Sequence, residues 1–189
     1  MTLSPYGVAM TILVDEARWP WRDTYWCHLV SNDNLAELHE FARDLGCRRV
    51  GFQGDHYDID VKTREQAIAL GAVECDSREL VRQMKTAGLR LRPSQFTKWS
   101  LVERGEPPQL APLEAIPGDV APWRERSDGY FVLDRTRRSG EQANAVVMFG
   151  SNASTALPIE DPDAGLFVRT TRDGDWAIEF ITPTPLDTE

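Results

Sequence analysis

Residues 11–15 read TILVD and residues 26–31 read WCHLVS. The first run is apolar and β-branched and ends in an acid, the pattern of a buried strand. The second alternates, with Cys27, Leu29 and Ser31 on one face and His28 and Val30 on the other. From Asn34 the period changes from two to 3.6. Leu35, Leu38, Phe41, Ala42 and Leu45 fall on one stripe, Asn34 with Glu37 makes a capping-box-like start, and Gly46 stops the helix.

Outward from this core the alternation continues. Arg49–Gly54 reads as a third strand and Asp55–Asp60 (DHYDID) as a polar turn. Thr63 with Gln66 opens a second helix that ends at Gly71, and Ala72–Cys75 is a fourth strand. Asp76 or Ser77 caps a third helix carrying Leu80, Val81, Met84 and Ala87. Strand, strand, helix, strand, helix, strand, helix predicts a compact α/β sandwich with a mixed, partly parallel sheet over residues 10–104. Residues 1–9 read as a flexible extension, with Met10 as an alternative start. Residues 105–123 hold Pro107, Pro108, Pro112, Pro117 and Pro122 and read as a linker or clamp. Residues 124–189 carry four strand-like runs, Tyr130–Asp134, Ala145–Phe149, Leu166–Thr171 and Trp176–Ile181. The last two are joined through Asp173-Gly174, so this acidic part is expected to be a small antiparallel sheet.

Composition sets outer limits. Of 189 residues 41% are hydrophobic, with six Trp, seven Phe and four Tyr, which excludes disorder along the whole length. No apolar run approaches the roughly 20 residues of a membrane-spanning helix. The formal net charge is -9, and residues 100–189 carry nearly all of the acidic excess. Such a chain repels phosphate backbones, which argues against a broad non-specific grip on nucleic acid. Cys27, Cys47 and Cys75 are an odd number, fit no Cys-x-x-Cys spacing and read as buried thiols. The N-terminus has no basic region, and Asp15 and Glu16 follow its apolar stretch at once, unlike a secretory leader, so a reducing cytoplasm is expected.

All three histidines, His28, His39 and His56, fall within the first 60 residues. His39 reads as a boundary residue of its helix. His28 and His56, with Asp15 and Asp58 from strand ends and a turn, are candidate catalytic groups. His28, His56 and Asp58 are the candidate ligands of a divalent metal, zinc or manganese by donor type. A second cluster, Arg18-Trp19-Pro20-Trp21-Arg22, combines forked cationic donors with stacking faces. Arg18, Arg22, Trp21 and Tyr57 are therefore candidate contacts for a small phosphorylated ligand or nucleotide. No Walker loop, dinucleotide fingerprint, nucleophile elbow or deaminase signature is present.

The blocks TILVDEARWPWR, WCHLVS, LAELHEFARDLG, FQGDHYDI and AIALGAVECDSRELV, in this order, resemble a bacterial and phage domain-of-unknown-function family, number 4031, over residues 10–92. The resemblance implies no activity. Two expectations of different class follow from the residues themselves. One is a metal-dependent hydrolase of a nucleotide or nucleic-acid phosphoester. The other is a non-catalytic accessory module that binds a small anion or a partner protein.

Overall fold

Val14, Leu29 and Leu38 are fully buried, and the first structural unit is built around them. The computed structural model describes residues 11–92, 98–106, 123, 126–136, 142–152 and 157–182. The expected N-terminal extension and almost all of the proline-rich stretch lie outside these residues. The described chain falls into two units. The first takes residues 11–47 and 51–92, and the second takes residues 48–50 and those from 98 onward.

The first unit holds strands β1 (Ile12–Val14), β2 (Trp19–Trp21), β3 (Thr24–Ser31), β4 (Tyr57–Asp60) and β5 (Val73–Glu74), with helices α1 (Leu35–Asp44), α2 (Val61–Ala69) and α3 (Ser77–Thr86). β3 pairs antiparallel with β1, β2 and β4, and β1 pairs parallel with β5, so the sheet is mixed. Ile12, Val14, Cys27 and Leu29 pack on one face against Leu38 and Ala42 of α1 and Ala67 of α2. Leu13 and Val30 pack on the other face against Leu80 and Met84 of α3. Helices on both faces give the expected α/β sandwich. Full burial of one such aliphatic side chain contributes roughly 1.5–3 kcal/mol.

Each helix begins at a short polar cap. Asn34 accepts from the Glu37 N–H, Asp60 from the Thr63 N–H, and Asp76 from the N–H groups of Arg78 and Glu79. The second helix therefore starts two residues before the expected Thr63, because Asp60 already supplies a stronger N-cap. The third strand also moves. Arg49–Gly51 is one tight helical turn, and the strand is Tyr57–Asp60, inside the expected polar turn. Tyr57 and Ile59 point inward while Asp58 and Asp60 point outward, so the acids read as a turn although they alternate as a strand.

In the second unit β6 (Ser100–Gly105), β7 (Gly129–Thr136), β8 (Gln142–Gly150), β9 (Leu166–Thr170) and β10 (Trp176–Thr182) form an antiparallel sheet in the order β6-β7-β8-β10-β9. Gly174 takes a φ of 86° in the turn between β9 and β10, where the sequence marks a hairpin. Gly150 admits no side chain, since a Cβ there would meet the Trp176 ring at 2.6 Å. Ser100–Gly105 pairs with β7 in this sheet, whereas the sequence reading puts residues 100–104 in the first part and Gly105 in the linker. Its residues are almost all exposed, so no burial pattern marks it as a strand. Among the described residues no helix is long and apolar enough to cross a membrane.

Candidate functional site

The site begins where a strand pairing breaks. β1 pairs with β3 as Val14↔Leu29, and β2 resumes as Trp19↔Trp26. The two registers differ by two residues, so residues 15–18 bulge from one edge of β3. The Asp15 N–H still donates to the His28 carbonyl at 3.3 Å. Its own carbonyl turns away and accepts from Arg64 Nε at 2.6 Å. The Asp15 side chain takes over the vacated role, with Oδ1 accepting the His28 backbone N–H at 2.7 Å. Oδ2 accepts from His28 Nδ1 at 3.0 Å and from the Ser77 hydroxyl at 2.7 Å. Burial pushes the Asp15 carboxyl up, but the bonds from the His28 ring, the His28 backbone and Ser77 together hold it below the usual carboxylate range. Asp15 is thus a buried, ionised anchor, and it assigns the His28 proton to Nδ1.

His56 is held in the same manner. Its Nδ1 lies 2.5 Å from Asp55 Oδ1 and its Nε2 lies 3.4 Å from Asp58 Oδ1. Asp55 is buried, and its second oxygen accepts from the Leu91 N–H at 2.8 Å and from Arg90 at 3.1 Å. Burial opposes a charge on the ring, yet the Asp55 and Asp58 carboxylates outweigh it and push the His56 pKa up to about 9. The His28 and His56 rings meet edge to face with centroids 5.2 Å apart. One ligand-capable atom from each of His28, His56 and Asp58 lies within 4.8 Å of the others. A cavity of about 60 Å³ adjoins the two rings, lined by Asp15, His28, His56, Ser77 and Arg90 and by an apolar wall from β3 and α3. That space is enough for an ion with its waters.

Four of the sequence-derived residues therefore converge, namely Asp15, His28, His56 and Asp58. Four others do not. Arg18 is exposed and paired with Glu16. Arg22 lies over the Trp21 ring at 4.3 Å, and neither residue lines the cavity. Tyr57 is a correction: it is buried in the opposite core layer, and its hydroxyl lies 2.9 Å from His39 Nδ1. Strand alternation sends Tyr57 away from its neighbours His56 and Asp58. Asp55, Ser77 and Arg90 were not among the candidates. Asp55 adjoins His56 in sequence, Ser77 reads as a helix start, and Arg90 reads as one of several solvated bases. No cysteine belongs to this converging group of described residues. Burial pushes the Cys27 thiol up to about 12 and the Cys75 thiol up to about 11, far from thiolate at neutral pH.

A stability prediction follows from His56. Its folded pKa of about 9 exceeds the ordinary 6.5, so in metal-free protein its stabilisation is complete below about pH 6.5 and is lost as pH rises through 9. The full contribution is on the order of 3 kcal/mol. Urea unfolding in chelator at pH 7 and pH 10 is expected to show that loss, and His56→Gln is expected to flatten it.

Residues 12–87 match the sequence model of a family described as a protein of unknown function (DUF4031). This segment belongs to the DUF4031 family. The DUF4031 segment contains Asp15, His28, Asp55, His56, Asp58 and Ser77, while Arg90 lies just beyond it. Searches of curated proteins and of solved structures found no match.

Proposed function

We propose that the DUF4031 segment is a metal-dependent hydrolase of a phosphoester in a nucleotide or nucleic acid, working in a reducing cytoplasm. The observation that carries this reading is the approach of His28, His56 and Asp58 to within 4.8 Å, with each ring's Nδ1 taken by a buried aspartate. Two imidazoles and one carboxylate suit zinc or manganese and leave coordination positions open for water and substrate. A carboxylate behind each ligating histidine is the usual means of fixing the ring and raising its basicity. A cation held there would supply a water acidified toward neutrality.

The protein's own groups have distinct tasks in this reading. Asp15 fixes the His28 tautomer so that Nε2 presents its lone pair. Asp55 orients His56, which gives up its proton on ligation. Arg90, in the cavity wall and balanced by Asp55, is the guanidinium available to an anionic oxygen, a task the sequence assigned to Arg18 and Arg22. Arg90 and a protonated His56 also favour the second reading, a module that binds a small anion without metal.

Tag-free protein is expected to take up one equivalent of zinc or manganese by calorimetry and to hydrolyse bis(p-nitrophenyl) phosphate only when loaded. His56→Ala and Asp58→Asn are each expected to lower metal affinity by more than the roughly 10- to 100-fold typical of losing a supporting residue. Substoichiometric uptake, unaltered by either change, together with phosphate binding to the metal-free protein would favour the anion-binding module.

A further inference from the structure

One strand face links the candidate site to a row of exposed rings. Trp26 and His28 are two residues apart on β3 and so share a face. Cross-strand partners share faces as well, and Trp19 opposes Trp26 while Trp21 opposes Thr24. Trp21, Trp26, Trp19 and His28 thus form a strip. Ring centroids are 5.0 Å apart between Trp21 and Trp26 and 6.3 Å apart between Trp19 and His28. Trp19 and Trp21 are 60% and 54% exposed, unusual for the largest apolar side chains. The hairpin turn beside them is strained, since Arg22 and Asp23 take φ values of 50° and 60°, a region that glycine normally occupies. The turn holds the Arg22 guanidinium over the Trp21 ring.

We propose that this strip is the substrate face of the site and stacks the unpaired bases of single-stranded nucleic acid, placing a phosphodiester over His28, His56 and Asp58. The proposal rests on the phosphoester reading above. Flat aromatic faces beside a guanidinium match the two halves of a nucleotide, a planar base and an anionic phosphate. From Thr24 to His28 the strip runs about 13 Å at ~3.3 Å per residue. Stacked bases are spaced about 3.4 Å apart along a strand, so the strip outreaches one nucleotide. Few cations accompany it on a chain of net charge -9. The grip is therefore by stacking, which reconciles it with the expected lack of broad electrostatic binding to nucleic acid.

The test is fluorescence anisotropy in chelator, where no turnover occurs, with a labelled oligothymidylate, the same strand annealed to its complement, and thymidine monophosphate as competitor. The single strand is expected to bind best. Trp19→Ala and Trp21→Ala are each expected to weaken it on the order of tenfold, and Trp19→Phe to retain most of the affinity. The salt dependence is expected to be shallow, with a log–log slope no steeper than about -1.4, as for two phosphate contacts. Zinc affinity is expected to stay unchanged in Trp21→Ala, whose ring packs on Trp26 and not on His28. Equal binding by wild type and alanine variants, a preference for duplex, or a dimer of the wild type that either alanine variant dissolves would overturn the proposal. Trp-dependent binding in a protein that takes up no metal would support the strip and sink only the metal reading.

Discussion

Asp15→Ala is expected to cost about 3–5 kcal/mol of folding stability, because it removes a buried charged acceptor from three donors at once. The three are the His28 backbone N–H, the His28 ring and the Ser77 hydroxyl. The backbone donor is the most costly to orphan, since the bulge has already turned the Asp15 carbonyl toward Arg64 and nothing else on β1 replaces it. Asp15→Asn separates structure from function. Its amide oxygen can still accept the backbone N–H, but its NH2 group faces the His28 ring. The ring is then driven to the other tautomer, with the proton on Nε2. Stability is expected to fall by only about 1 kcal/mol, within the range of a lost hydrogen bond. Metal affinity is expected to drop roughly 10- to 100-fold. Urea melts and zinc titrations of the two variants check both halves. Equal metal affinity in Asp15→Asn and wild type would show that the aspartate does not set the tautomer.

Glu179→Ala is the second large effect, in the other unit. Glu179 is fully buried in β10, opposite Val147 and Phe167. Its two oxygens accept the N–H groups of Arg49 and Val50 at 2.6 and 2.8 Å. Burial pushes its carboxyl up, and the charges of Arg169 and Arg48 with these two N–H bonds act against that rise. Removing the side chain leaves one buried and one half-buried donor facing an empty space, and about 3–5 kcal/mol of destabilisation is expected. Glu179→Gln can satisfy one donor and opposes the other with its own NH2 group, so an intermediate loss is expected. A near-silent alanine variant in thermal and urea unfolding would mean that the carboxylate is dispensable.

The legible parts of the fold were those with a repeating signal. β1, β3 and helices α1 and α3 carry clean apolar periods, and the caps and terminal glycines of those two helices stand at the expected places. β2 hid behind Pro20 at the centre of three exposed residues, and β6 behind a run with no buried face. β4 was concealed by its outward acids. The site divides along the same line. Asp15, His28, His56 and Asp58 stand out as polar groups at the ends of apolar runs or in turns. Ser77 and Arg90 owe their roles to packing across 62 and 35 residues of chain, which local pattern does not encode. Tyr57 looked like a ligand contact because it sits between two polar neighbours, and strand alternation sends it to the opposite side.

X-ray absorption at the zinc edge of tag-free, zinc-loaded protein bears most directly on the metal centre. Two imidazole nitrogens and a carboxylate oxygen at about 2.0–2.2 Å are expected, with no sulfur near 2.3 Å. The imidazole signal is expected to be halved in His28→Ala. A thiolate-bound zinc, or a spectrum indifferent to His28, His56 and Asp58, would contradict a metal centre at this place in the fold.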